Sequence, residues 1–249
     1  MTQTRIVVRA IACDGKFLGP DAGGAWITVR DPATGTVYAD QLVTGTSSGP
    51  ADLMTVSQQR YVPIAPDADT PKLDISIDLA QPTQLEFSAE GPWKLKEQGG
   101  TNKVTLTQTV LPGVGLVALN PADSGLPEGL IIEIPGLAVT LDTPLRASGQ
   151  TLTVGAYVTM MCGCKISNEL PWPDTDFVVE ALVFRGDTLL ATLPMTLDAS
   201  TPSQFYSKPW QIPQVPRGGL YVAIVRAWQK SFANSGISNA ASVIGGWGG

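Results

Sequence analysis

Histidine is absent from the 249-residue sequence, cysteine occurs three times, and charged residues make up only 15%. Each shortage narrows the chemistry. Without histidine this chain alone supplies no Ser-His-Asp or Cys-His catalytic set, and no His-ligated zinc, blue-copper or non-haem iron site. An odd number of cysteines does not complete a disulfide framework, although one bridge with one free thiol is allowed. Lys and Arg are scattered and the net charge is -6, which argues against nucleic acid as a partner, because phosphate contacts need clustered cations. No apolar run approaches the roughly 18 residues that cross a bilayer. The longest candidate, Leu130 to Val139, is interrupted by Glu133 and Pro135, so no membrane span is expected. Met1-Thr-Gln-Thr-Arg5 followed by Ile6-Val-Val8 lacks the basic start, apolar middle and cleavage site of a secretory signal. At face value the chain is cytoplasmic, while its Thr, Ser, Gly and Pro richness is compatible with an exported mature chain.

What the chain does contain is 43% hydrophobic residues, with 26 Gly and 20 Pro spread along it. That combination excludes disorder and favours short strands joined by tight turns. Period-two alternation is clearest where Leu73, Ile75, Ile77 and Leu79 interleave with Lys72, Asp74, Ser76 and Asp78, the pattern of an antiparallel sheet with one apolar and one wet face. On this register Ile75→Asp is expected to unfold the first domain and Ser76→Asp to be nearly neutral. Similar alternation marks Ala25 to Val29, Leu152 to Met160, Phe177 to Val183 and Leu220 to Val225. Asp31-Pro-Ala-Thr-Gly35, Gly99-Gly100, Gly186-Asp187 and Arg217-Gly-Gly219 supply turns, and Gly186-Asp187 predicts a two-residue hairpin. The fold class is therefore all-β. Length favours two domains, assigned as 1–138 and 139–249, both antiparallel β-sandwiches, with Asn120 to Gly125 as an exposed loop.

Gly24-Ala-Trp-Ile-Thr-Val-Arg-Asp-Pro-Ala-Thr-Gly35, followed by Val37, resembles the opening hairpin of transthyretin-like or carboxypeptidase-regulatory-like domains. The second half resembles immunoglobulin or fibronectin type III sandwiches by strand count. With its Met161-Cys-Gly-Cys164 element, the chain as a whole is similar to uncharacterised two-domain bacterial β-sandwich proteins. This resemblance implies a fold and no activity.

Two catalytic-looking strings lack their context. Gly45-Thr-Ser-Ser-Gly49 matches a nucleophile elbow, but Pro50 follows and no histidine can take the proton. Gly113-Val-Gly115-Leu-Val-Ala118 matches a dinucleotide fingerprint, but Asn120-Pro121 ends the segment before a helix can form. Asp174 and Asp176 near Trp172 have the spacing of a weak Ca2+ or sugar site, for which solvated loop charge is the ordinary explanation.

The element with inorganic potential is Thr159-Met-Met-Cys-Gly-Cys164. Cys162 and Cys164 could hold a soft ion such as copper as Cu(I), with Met161 adding a thioether. Continued alternation places Met160, Cys162 and Cys164 on the core face and Met161 on the wet face, unless Gly163 introduces a bulge. Core packing, a strained labile disulfide, metal binding and a redox-active thiol pair all remain open for the two cysteines, and Cys13 reads as strand packing. Among the tryptophans, Trp172, Trp210 and Trp247 are candidate interaction residues, either for a protein surface or, as a lesser alternative, for a sugar ring. The functional expectation is a non-catalytic accessory or binding protein that needs no cofactor and docks to a protein partner or to itself. A copper or thiol-redox protein and a carbohydrate-binding module are the alternatives.

Overall fold

A computed structural model describes residues 1–58, 64, 69–116, 129–148, 150–213 and 219–245, with 146 and 147 described by backbone alone. The loop expected at Asn120 to Gly125, most of the turn at Arg217 to Gly219, and Trp247 lie outside these residues. The architecture is all-β, and the described helices are short 3-10 turns. The chain forms two compact units. One comprises Met1–Lys96, Thr101–Pro135 and Met161–Cys164, and the other Glu97–Gly100, Gly136–Met160 and Lys165–Gly249.

In the first unit, β1 (Thr2–Ala12), β4 (Leu73–Leu79) and β7 (Leu130–Ile134) form one sheet in the order β4-β1-β7. β2 (Ala25–Arg30), β3 (Val37–Val43), β5 (Thr83–Gly91) and β6 (Asn102–Val110) form another, ordered β3-β2-β5-β6. The alternation in β4 sets its inner face: Leu73, Ile77 and Leu79 are buried and Asp74, Ser76 and Asp78 exposed, while Ile75 is half-buried. β2 and β5 do the same, burying Ala25, Ile27 and Val29, and Leu85, Phe87 and Ala89. β1 does not alternate, for Ile6, Val7, Val8, Arg9 and Ala10 are all buried. It is a central strand, antiparallel to β4 on one side and parallel to β7 on the other. The parallel pairing departs from the all-antiparallel expectation. β7 is reached only after the other sheet is complete, so a long crossover brings it beside β1 in the same direction.

In the second unit the path runs β17 (Ser235–Ile237), β16 (Gly219–Gln229), β12 (Phe177–Arg185), β13 (Thr188–Leu197), β14 (Gln204–Ser207), β11 (Gly155–Met160) and β8 (Leu137–Leu141), and β18 (Ala241–Gly245) also pairs with β16. A small sheet of β9 (Arg146–Ser148), β10 (Thr151–Thr153) and β15 (Trp210–Gln211) adjoins it in sequence. β12 turns into β13 through Gly186 and Asp187, with Gly186 at φ 57°, the left-handed conformation that a two-residue hairpin demands. The long sheet curls until its ends meet. A Cβ on Gly236 of β17 would lie 2.1 Å from the Leu137 carbonyl oxygen of β8, so only glycine permits this approach. Breaks in the ladders are filled by buried serines: the Val225 N–H donates to Ser238 Oγ at 2.9 Å between the stretches of β16 that pair with β17 and β18, which satisfies a donor the ladder leaves over.

Candidate functional site

β11 ends at Met160, and Met161, Cys162 and Gly163 then turn. The turn belongs to the first unit, so the thiols do not continue the strand of the second domain as alternation predicts. Met161 is buried like Met160, which corrects its assignment to a wet face, because the residue has already left the sheet. Gly163 takes φ 84°, and a Cβ there would approach the Asp21 backbone at 3.1 Å. On the other side, a Cβ on Gly15 would sit 3.1 Å from Cys162 Sγ. The turn thus lies against the segment after β1, where backbone atoms rather than long side chains meet the sulfur.

Cys162 is buried and Cys164 half-exposed, and both are free thiols. The Cys164 thiol donates to Cys162, and the backbone N–H groups of Lys16 and Cys164 add to this, so the Cys162 thiol is lowered to about 7 against the opposing effect of burial. Cys164 moves in the other direction, raised first by its bond to Cys162 and then by burial. The pair therefore releases one proton readily and holds the second, and the favoured species is a Cys162 thiolate capped by a Cys164 thiol. Two sulfurs can grip a soft monovalent ion. Among the described residues, however, no three of His, Cys, Asp and Glu converge to hold a metal, and a closed tetrahedral centre such as structural zinc would need four ligands. Cys13 is not brought into a three-donor group.

The tryptophans divide differently from expectation. Trp172 is buried and cannot serve as a stacking platform. It sits in the turn where the Ser167 N–H donates to its carbonyl at 3.1 Å. Trp210 is half-buried and packs edge-on to Tyr221 at 6.3 Å. The aromatic pair that does reach the surface is Trp26 with Trp93, stacked at 4.8 Å. Trp26 Nε1 donates to Asp40 at 2.6 Å, Thr28 donates to the same oxygen, and Lys96, ion-paired with Glu90, lies over the Trp93 ring. These donors hold the Asp40 carboxyl below the usual range, Trp26 first and Thr28 next. The Trp26 indole N–H is thus already satisfied within the chain. In sequence, Trp26 is one alternating position among several and Trp93 follows a proline, so nothing there marks them as neighbours.

The largest feature that sequence reasoning did not isolate is the outer face of β18, β16, β12 and β13. Strand register places Leu220 opposite Ile244, Val222 opposite Phe184, and Ile224 opposite Leu182, with Phe184 in turn opposite Leu189. The inner positions between them, Tyr221, Ala223 and Val225 in β16 and Ala181 and Val183 in β12, are the buried core. Both faces of these two strands are thus apolar. On the outer face Leu220 is 57%, Ile244 64% and Leu189 49% exposed. The outer face of the β2–β5 pair is the contrast, carrying polar Thr28 opposite Ser88 and a solvent-exposed Arg30–Glu86 ion pair, as a sheet with one polar face should. The apolar character of Phe177-Val-Val-Glu-Ala-Leu-Val-Phe184, broken only at Glu180, was the available signal, obscured because every second residue also fitted a one-sided strand.

No family model matches the sequence, and no curated protein matches it. Among solved structures, the chain is similar to a DUF3823 family protein from Bacteroides ovatus ATCC 8483, at 11% identity and TM-score 0.34 over 97% of this chain and 98% of that one. A DUF3823 family protein from Bacteroides uniformis ATCC 8492 gives 12% identity and TM-score 0.29 over 98% and 99%. The chicken interferon gamma receptor alpha chain gives 10% identity and TM-score 0.28 over 89% of this chain and 84% of that one.

Proposed function

We propose that this chain is a non-catalytic binding protein, an accessory subunit that works by docking the outer face of β18, β16, β12 and β13 against protein. The observation that carries this reading is that face itself. A solvent-facing sheet interleaves polar residues along each strand, whereas β16 and β12 place half-buried Val222, Ile224, Leu182 and Phe184 side by side, with exposed Leu220 and Ile244 next to them and Ser242 and Thr192 at the flanks. Contiguous solvent-facing apolar side chains of this kind belong to interfaces. The missing histidine agrees with a role that needs no chemistry of its own. The test is the mass of the native species in extract of cells that make the protein. Wild type is expected to run heavier than the 26.2 kDa of one chain, and Ile224→Glu to shift it to that mass. Wild type running as a single chain in extract would contradict the reading.

A second reading, a soft-metal or thiol-redox role, is supported by the N–H and S–H groups directed at Cys162. Removing that acceptor takes away the largest cause of the raised Cys164 value, so in Cys162→Ala the Cys164 thiol should alkylate at lower pH than in wild type. An unchanged pH profile, followed by mass spectrometry of the alkylated peptide, would count against any coupled-thiol function.

A further inference from the structure

We infer that Cys162 and Cys164 form a reversible dithiol/disulfide couple that exchanges with small thiols and disulfides through the Cys164 sulfur, with Cys162 as the resolving partner. The inference rests on the thiol-redox reading above, which it deepens, and is independent of the docking face.

Reach, direction and exposure carry it. Residues two apart on an extended strand lie about 6.8 Å apart, at the outer limit of the roughly 4.4 to 6.8 Å that a disulfide spans. Here the chain has left β11 and bends at Gly163, whose φ is 84°, and the two sulfurs are in hydrogen-bond contact. A Cβ at 163 would press on the Asp21 backbone at 3.1 Å, so glycine alone fits the bend. The loop after β1 supplies the other wall. The Ala12 N–H donates to the Lys16 carbonyl at 2.9 Å and the Gly15 N–H to the Ala12 carbonyl at 3.1 Å. These bonds hold Lys16, whose own N–H donates to the Cys162 sulfur, as does that of Cys164. Cys162 is only 1% exposed and Cys164 is half-exposed. A reagent arriving from solvent therefore meets Cys164, while the sulfur beside it is placed to finish the exchange.

In the oxidising direction Cys164 passes its proton to Cys162 along the hydrogen bond that joins them. The Cys164 thiolate then attacks one sulfur of a small disulfide RS–SR, forming a mixed disulfide on Cys164 and expelling RS⁻. Cys162 releases its proton to water, attacks the Cys164 sulfur and expels the second RS⁻, which closes the bridge. Two electrons pass from the pair to the small disulfide, and the proton from Cys162 with one more from solvent converts both RS⁻ to RSH. In the reducing direction a small thiolate attacks the Cys164 sulfur and Cys162 leaves as the thiolate, which the surrounding N–H groups are directed to receive. A stabilised leaving thiolate and a strained ring both make such a bridge quick to open.

The experiment treats the reduced, purified full-length chain, freed of metal with a chelator, with excess glutathione disulfide at neutral pH. Samples are quenched in acid over time, and the intact chain and its peptides are weighed by mass spectrometry. Wild type is expected to lose two hydrogen atoms through a Cys162–Cys164 bridge with no lasting adduct, and reduced glutathione to restore the dithiol. Cys162→Ala should instead hold an adduct on Cys164 at about one per chain, because the resolving sulfur is gone. Cys164→Ala should leave Cys162 unmodified until the chain is unfolded in denaturant. Near-UV circular dichroism matching wild type shows which variants are folded. Where one is not, early wild-type samples decide the matter, since a transient adduct should appear on Cys164. A wild type that stays reduced, a lasting adduct on it, a first adduct on Cys162, or a bridge to Cys13 overturns the inference. If no bridge forms and Cys164 in Cys162→Ala still alkylates at lower pH than in wild type, the exchange falls and the coupled-thiol reading stands. If that shift is absent as well, both fall.

Discussion

Leu73→Asp is expected to unfold the first unit. Leu73 is fully buried in β4 and stands directly opposite Val8, which is also fully buried, so an ionised carboxylate there is cut off from water. Such a substitution costs more than about 4 kcal/mol, a large part of the roughly 5 to 15 kcal/mol that holds a domain together. Ser76→Asp on the same strand is the control. Ser76 is exposed and faces Arg5 across the ladder, so the new carboxylate gains a partner and stability should change by no more than about 0.5 kcal/mol. Ile75, where alternation alone would have directed the test, is only half-buried and would give a smaller loss. Denaturant unfolding of the two variants decides the matter, and equal losses at both positions would refute the strand register.

Arg9→Ala should cost about 3 kcal/mol. Arg9 is the largest fully buried side chain among the described residues. Its Nη1 donates to the Thr70 carbonyl at 2.7 Å and the Pro71 carbonyl at 3.2 Å, and its guanidinium sits 5.9 Å from the centre of the Phe17 ring. Truncation leaves a cavity beside Phe17 and takes a charged donor from two carbonyls in a setting where water does not replace it. Arg5, four residues earlier on the same strand, makes an exposed bidentate pair with Asp74, and Arg5→Ala should cost less than about 1 kcal/mol. A loss at Arg9 no larger than that at Arg5 would mean that the buried guanidinium contributes little.

These two positions also show what the sequence disclosed. The inner face of β4 was legible because polar and apolar residues alternate without exception from Leu73 to Leu79. Arg9 was not, since a lone arginine in an apolar strand looks like a surface residue until the strand proves to be covered on both faces. The cysteine turn was visible as an unusual composition, but its setting depends on Gly15 and Lys16, far away in sequence and brought close only by the fold. Extrapolating strand alternation past Met160 put Met161 on the wrong side for the same reason. At β12 and β16 the apolar residues were all noted as strand, and the second apolar face was missed because burial of one face already accounted for half of them.

The central claim is that the outer face of β18, β16, β12 and β13 is covered in the working protein. Hydroxyl-radical footprinting of the native species tests it directly, with Leu170, outside the four strands and 83% exposed, as an internal reference for Leu220 at 57% and Ile244 at 64% in the isolated chain. The account predicts that Leu220 and Ile244 are strongly protected while Leu170 remains fully reactive. Oxidation of all three in proportion to their exposure in the single chain would contradict it.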